Sequence, residues 1–228
     1  MQKKIVVLTG AGVSAESGIK TFRDADGLWE GHDVMDIASP IGWEKDQKRV
    51  LEFYNQRRRQ LLTVDPNAAH TALAKLEKEF DVEIITQNID DLHERAGSTK
   101  VTHLHGELLK ARSTFNENLV IDWKQDIKPG DFCEFNHQLR PHVVWFGEAV
   151  PMFEKAMEIV AEADILMIIG TSMQVYPAAG LVDFAPQGIP VYFIDPKPNI
   201  QEKGNLHIIA EKASIGVPKL VSELINSA

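Results

Sequence analysis

The sequence has a single cysteine, Cys133, among 228 residues. An intrachain disulfide is therefore excluded, and a chain that does without one fits a reducing compartment. No apolar run approaches the ~18 residues that a membrane-spanning helix needs. After Met1 only the four apolar residues Ile5–Leu8 follow two lysines, too short for a secretory signal core. The expected location is the cytoplasm. An excess of positive charge is missing as well, since 24 Lys and Arg face 33 Asp and Glu for a net charge of −9. The molecule as a whole should repel nucleic acid and anionic membrane, so neither is expected as a partner. Internal repeats and low-complexity tracts are also lacking.

What remains is an ordinary globular composition, with 44% hydrophobic and 25% charged residues. At about 150 residues per domain the length fits one large domain, or one carrying a small inserted lobe. Short apolar runs rich in β-branched residues at Ile5–Leu8, Val82–Ile85, Ile165–Ile169 and Val191–Ile194 read as buried parallel strands, with weaker candidates at Val101–Leu104 and Leu206–Ile209. Helix-period stretches at Asn67–Phe80, Met152–Ala163, Pro177–Phe184 and Val217–Ile225 alternate with them, which predicts an α/β, Rossmann-like doubly wound parallel sheet. Two segments break this rhythm, residues 25–64 with a helix over Glu44–Leu62, and residues 108–141. They are expected to form a small lobe beside a large lobe made of residues 1–24, 65–107 and 142–228, all within a single domain. A ligand cleft would lie between the lobes at the strand ends.

Several short motifs carry chemistry, each with a bland alternative. Gly10-Ala11-Gly12-Val13-Ser14-Ala15 follows the first strand and opens a candidate helix, as a turn that lets a pyrophosphate approach a helix N-terminus, or as a merely tight bend. The acidic residue of ordinary dehydrogenases is displaced: Asp24 and Asp26 sit in a polar loop, while Asp195 ends a late strand and could either take a ribose or make a turn with Pro196. Gln87, Asn88, Ile89 and Asp90 end another strand, where amides and carboxylates can orient a ligand or cap a helix. His103 and His105, two apart, face one side if they lie on a strand. A metal pair is possible, but one catalytic histidine before Gly106 reads better, because no third ligand stands at suitable spacing. Gly170, Thr171 and Ser172 form a candidate phosphate cradle or a cap. Val143–Glu148 suits an edge strand that pairs with an extended peptide, or a core strand. Tyr54 and Arg57 share a helix face that could bind a carboxylate, although an arginine taken alone reads more simply as a solvated charge.

Taken in order along the chain, Gly10–Gly18, Thr21-Phe22-Arg23-Asp24, Gly27-Leu28-Trp29, Thr86–Asp90, His103–Gly106, Val143–Glu148 and Gly170–Ser172 resemble the sirtuins, NAD-dependent protein-lysine deacylases. The resemblance implies a Rossmann-like lobe, a small lobe from two insertions, and NAD meeting an acyl-lysine protein or peptide in the cleft. It implies that Gly10, Ala11, Gly12 and Ser14, with Thr21, Phe22 and Arg23, hold the pyrophosphate and cover the nicotinamide ribose. Gln87 would hold that ribose. Asn88 and Asp90 would receive the carboxamide, and Gly170, Thr171, Ser172 and Asp195 the adenosine side. Further NAD contacts are implied for Glu16, Trp29, Ile89 and Ala213. His105 would be the general base, in catalysis with Asn88 and Asp90. Val143, Val144, Trp145, Phe146, Gly147 and Glu148 would bind the peptide. NAD would be consumed, giving free lysine, nicotinamide and 2′-O-acyl-ADP-ribose.

Tyr54 and Arg57 match a sirtuin subclass that removes succinyl and malonyl groups, which implies weaker deacetylation, since an arginine left unpaired by an acetyl group is costly to bury. Three departures from the family pattern stand out. Sirtuins usually carry a zinc site of two cysteine pairs, whereas here Cys133 stands alone and Arg112–Phe115 holds no cysteine. One thiolate cannot make a tetrahedral structural site, so no zinc is expected, with Phe115, Phe132 and Phe135 packing that lobe instead. Asp195 stands where an asparagine is common, and Lys20 replaces a usual proline. Mono-ADP-ribosyl transfer and NAD sensing without turnover are the competing functions. A monomer is compatible with the sequence.

Overall fold

A computed structural model describes residues 2–20, 28–173, 176–198 and 200–227. Its strands in chain order are β1 (Lys4–Thr9), β2 (Leu28–Trp29), β3 (His32–Asp33), β4 (Asp81–Thr86), β5 (Val101–His103), β6 (Gly106–Ser113), β7 (Val120–Asp122), β8 (Leu139–Val143), β9 (Ile165–Ile169), β10 (Val191–Ile194) and β11 (Leu206–Ile209). The helices are α1 (Val34–Ile37), α2 (Pro40–Lys45), α3 (Gln47–Leu61), α4 (Ala68–Leu76), α5 (Leu92–Ala96), α6 (Phe153–Ala161) and α7 (Ala213–Asn226).

Six strands form one wholly parallel sheet in the order β11-β10-β9-β1-β4-β5. Successive side chains of a strand face opposite sides, and β1 shows the result. Ile5 and Val7 join the core under α4 and α7, while Val6 and Leu8 join the core under α6. Both faces are covered, which is why the strands read as continuous apolar runs. From β1 the chain steps one way to β4 and β5, and from β9 the other way to β10 and β11. The switch point thus lies between β1 and β9, with Gly10 and Gly170 just past their C-terminal ends.

A second core, including Ile37, Trp43, Val50, Tyr54, Leu61, Leu108, Ala111, Leu139 and Trp145, lies under α1 to α3 and the antiparallel sheet β7-β6-β8. In α3, Asp46 caps the first turn through Arg49 N at 3.0 Å, and the buried residues Val50, Leu51, Tyr54, Arg58 and Leu61 recur at helical spacing. Arg58 is fully buried. Its Nε donates to the Leu108 carbonyl at 3.1 Å and its Nη1 to Asn55 Oδ1 at 2.7 Å. Burial pushes its guanidinium down to about 10. Asn55 in turn donates to the Ile127 carbonyl at 2.9 Å, so α3 is bolted to both β6 and the segment after β7. Arg58→Ala removes the side-chain donor from the Leu108 carbonyl and one of the two donors from Asn55 Oδ1, which keeps Ile127 N, and is expected to remove about 3 kcal/mol of stability. A thermal melt should fall by roughly 6–12 °C.

The structure departs from the sequence expectations at several places, the helix expected over Glu44–Leu62 among them, since α2 ends at Lys45 and α3 begins at Gln47. Pro177–Phe184 is not α-helical: Ala178–Phe184 is a 3-10 segment. The glycine turn opens no long helix either, but two short 3-10 turns, Ala11–Val13 and Ala15–Ser17, ended by Gly18 at φ 98°. Strand pairing across Val143–Glu148 stops at Val143, since the Val144 and Phe146 amides donate to His105 O and Ala38 O, both at 2.9 Å, and the chain turns. Phe115, Phe132 and Phe135 are more than half exposed. They do not fill the small sheet, whose interior is Leu108, Ala111, Ile127 and Leu139. The turn beyond it is closed by Cys133 N to His137 O at 2.8 Å and by the Gln138 amide, which donates to Lys128 O and Asp131 O at 3.0 and 3.2 Å.

Candidate active site

The glycines at the switch point are fixed by close approach of two loops. Gly12 N donates to Gly170 O at 2.8 Å, and a Cβ on Gly12 would stand 2.6 Å from Gly170 Cα. One on Gly10 would meet Thr171 Cβ at 2.7 Å. Gly170 itself has φ 61°, in the left-handed region that only glycine enters cheaply. Two bare loops are thus held edge to edge where a helix-like turn and strand end offer backbone amides. This is a cradle that a diphosphate fits and side chains would fill.

A cleft of about 280 Å³ opens from this cradle. Gly10, Ala11, Gly12, Ser14, Gln87, Asn88, Asp90, Gly170, Thr171 and Ser172 line one side, Val143 to Glu148 the other, with Trp29, Tyr54, Ile89 and His105 between. Glu16, Arg57, Asp195 and Ala213 lie outside this lining. Glu16 instead accepts from Ser214 N at 3.0 Å, capping α7 from across the fold, so that helix begins at Ala213 and not at Val217. Asp195, buried behind the sheet end, accepts from Lys197 N at 2.9 Å, an Asx turn around Pro196. Thr21, Phe22 and Arg23 fall outside the described residues.

Below the cradle lies a buried polar network. Ser14 Oγ donates to Asp90 Oδ2 at 2.9 Å and accepts from Asn88 Nδ2 at 3.1 Å. Leu92 N donates to Asp90 Oδ1 at 3.2 Å, so the carboxylate also caps the start of α5. Burial pushes the Asp90 carboxyl up to about 6, against the opposing effect of these hydrogen bonds. Beneath Ser14 sit two histidines absent from the sequence expectations. His70 Nδ1 accepts from Asn67 N at 3.2 Å, so its proton is on Nε2, which points at Ser14 Oγ at 3.4 Å. Burial drives this ring down to about 4, so it stays neutral. Its ring stacks edge-on with His93, which bonds Thr9 Oγ1 at 3.1 Å. The signal for His70 was local: three residues after Asn67, it completes the capping box of α4.

The two strand-end histidines part company. His103 is the last residue of β5, and His105 lies beyond the strand in the turn before Gly106, so they do not form a same-strand pair. His103 donates from Nδ1 to Asn88 O at 3.0 Å and from Nε2 to Glu94 at 2.7 Å. His105 donates from Nδ1 to Gln87 O at 3.0 Å. That bond fixes the tautomer and leaves the Nε2 lone pair for the cleft. Burial lowers the His105 imidazole below its usual range, partly offset by the Gln87 carbonyl, so the neutral base prevails at pH 7. Among the described residues no group of three or more His, Cys, Asp or Glu side chains is placed to hold a metal ion.

The opposite wall is built by a group that sequence reading did not assemble. Glu148 receives Arg140 Nη1 at 2.6 Å, Arg112 Nη2 at 3.0 Å and its own turn's Trp145 N at 2.8 Å. Burial opposes the Glu148 charge, but the Arg140 hydrogen bonds and the field of both arginines hold its carboxyl below the usual range. Arg140 also lies 3.2 Å over the Trp145 ring. Trp145 Nε1 then donates to Tyr54 OH at 3.0 Å. Tyr54 is fully buried, which pushes its phenol up, and it retains its own hydrogen to donate. Arg57 sits one turn along α3 over the Phe53 ring, its Nη1 on Phe53 O at 2.7 Å.

Fold and site together define a doubly wound α/β protein with a nucleotide cleft at its switch point and a tautomer-fixed histidine inside it. The chain belongs to the Sir2 family, whose match spans residues 10–177. It is 57% identical over 227 residues to an NAD-dependent protein deacylase of Helicobacter pylori, covering 99% of both chains. It is 52% identical over 230 residues to one of Bacteroides thetaiotaomicron, covering 98% of both. A solved Sir2 homologue in complex with NAD superposes with a TM-score of 0.89 at 39% identity, over 99% of this chain and 91% of that one.

Proposed function

We propose that the chain is an NAD-dependent protein-lysine deacylase that favours acidic acyl groups. The observation that carries the reading is His105, a neutral base with Nε2 unengaged, set in the cleft between the glycine cradle and the Val143–Glu148 wall. The relatives named above, at 52% and 57% identity, support the chemistry. NAD, when bound, would supply an electrophilic ribose carbon and accept the acyl group as 2′-O-acyl-ADP-ribose, one water being consumed as free lysine and nicotinamide leave. The turn through Gly10, Ala11, Gly12 and Ser14 would hold its diphosphate, and Gly170, Thr171 and Ser172 its adenosine side. Gln87 would orient the ribose, with Phe22 and Arg23 covering it. Asn88 and Asp90 would receive the carboxamide. His105 Nε2 would take a proton from the ribose hydroxyls as general base.

The acyl-lysine enters between the lobes, residues 25–64 and 108–141 forming the smaller one, beside the 143–148 wall. Its acyl end would reach Tyr54 and Arg57, where a carboxylate could accept from the phenol and the guanidinium. No structural zinc is needed, since one cysteine cannot complete a tetrahedral site. The working form would be a cytoplasmic monomer. No helix of the described residues is long and apolar enough to cross a membrane.

The test is a mass-spectrometric assay of one peptide bearing succinyl-, malonyl- or acetyl-lysine, with and without NAD. Arg57→Met is expected to lower the succinyl-to-acetyl ratio of kcat/KM by at least about tenfold, the loss of one charge-assisted pair. Equal loss on both substrates would remove Arg57 from the acyl site. ADP-ribose attached to protein without dependence on an acyl-lysine would indicate ADP-ribosyl transfer, and NAD binding without nicotinamide release would indicate a sensor.

A further inference from the structure

Beside the main cleft lies a small cavity of about 50 Å³, lined among others by Lys20, Trp29, Glu30, Arg57 and Asp90. Lys20, Trp29 and Asp90 line both spaces, so the two adjoin. Arg57 uses only part of its guanidinium there. Its Nη1 is bound to the Phe53 carbonyl, its Nε is buried without a partner, and its Nη2 stands 3.9 Å from Glu30 Oε2. The same Glu30 oxygen is 2.9 Å from Lys20 Nζ. Glu30 and Arg57 are both largely buried, whereas the Lys20 side chain is mostly exposed. Glu30 is the first residue of the two-residue turn between β2 and β3, and its φ of 52° beside Gly31 at 77° is the left-handed geometry of such a hairpin turn, which fixes where its side chain starts. A carboxylate of the protein therefore already forms a long ion pair with the arginine, beyond hydrogen-bond distance, while it is held toward the lysine.

We propose that Glu30 is an internal counter-ion that competes with the substrate's acyl carboxylate for Arg57, and that Lys20 is a positioning residue that draws Glu30 aside. The proposal rests on the reading of Arg57 as the acyl-carboxylate site. With Glu30 paired to Lys20, the Nε–Nη2 edge of Arg57 stays open and desolvated. One positive charge is left over among the three side chains, matched to one incoming carboxylate and to no acetyl group. Glu30 thus offsets part of the cost of the empty site, and that same offset weakens the grip on succinyl and malonyl groups. Lys20 sets how much of it Arg57 feels.

The experiment measures kcat and KM with succinyl- and acetyl-lysine peptides for the wild type, Glu30→Gln, Lys20→Met, the double variant and Arg57→Met, with a thermal melt of each. Glu30→Gln is expected to lower the succinyl KM about three- to tenfold, with a smaller effect on the acetyl KM. Lys20→Met, which lets Glu30 close on Arg57, is expected to raise the succinyl KM by a similar factor. The double variant should return to the Glu30→Gln value, because the lysine acts only through Glu30. Glu30→Ala serves if Glu30→Gln melts early. A succinyl KM that Glu30→Gln leaves alone or raises would overturn the proposal, as would a Lys20→Met loss that survives in the double variant. If Arg57→Met collapses the succinyl-to-acetyl ratio while either of those results holds, only the present proposal falls. If Arg57→Met leaves that ratio intact, the underlying acyl-site reading falls with it.

Discussion

His105→Ala is expected to lower NAD-dependent deacylation by about 10²- to 10⁴-fold, the usual contribution of a positioned general base. The reason lies in one hydrogen bond. Because Nδ1 donates to the Gln87 carbonyl, the second nitrogen carries its lone pair into the cleft whenever the ring is neutral. Burial, the larger influence on this ring, lowers its pKa from 6.5, so the basic form is retained further into acid than for an exposed histidine. Wild-type kcat should therefore be flat at neutral pH and fall only as acid protonates His105 below 6.5. His105→Gln keeps the bulk without the base and should be as slow as the alanine variant. The Gln87 bond belongs to the turn between β5 and β6, so each variant needs a melt, and activity loss must exceed any loss of folded protein. Retention of more than about a tenth of wild-type rate by both variants would remove His105 from the proton transfer.

The parts of this site that were legible in the sequence are those written in local chemistry. A strand buried on both faces must be apolar at every position, so β1, β4, β9 and β10 were readable from composition alone. Glycines that two backbones press together are equally readable, since Gly12 tolerates no Cβ against Gly170. What stayed hidden was set by partners far along the chain. Nothing near Glu16 announces that it caps a helix at Ser214, and nothing near Glu148 announces Arg112. Val143–Glu148 has the composition of a strand, but its amides are taken by Ala38 and His105 from other segments, so it turns. The exposed Phe115, Phe132 and Phe135 show the converse, apolar residues whose position in the loops beside the small sheet gives them little to pack against. Phe115 stacks on His137, with ring centroids 4.5 Å apart.

Asp90→Asn is expected to move stability and turnover in opposite directions. The folded-state pKa of Asp90 is raised from 3.8 to about 6, with burial the largest cause. A carboxyl whose pKa is raised on folding favours the native state in its protonated form. Its full contribution is present below about 3.8, and it is lost as pH rises through about 6. At pH 8 the ionised group therefore works against the fold, by an amount on the order of 3 kcal/mol for a gap of this size. Asparagine keeps the size and an acceptor for Leu92 N, but its amide must donate to Ser14 Oγ, which also accepts from Asn88, so part of the gain is forfeited. The melt at pH 8 should rise by roughly 3–6 °C, and at pH 5, where Asp90 itself is largely protonated, the gain should vanish or reverse. Nicotinamide release should meanwhile drop by at least about 10²-fold, since the carboxylate proposed to receive the carboxamide is gone. A buried charge that weakens the fold at working pH is retained when a ligand needs it, which is the trade expected of an active site. An asparagine variant that melts lower at pH 8, or that still turns over NAD at wild-type rate, would return Asp90 to the role of a cap for α5.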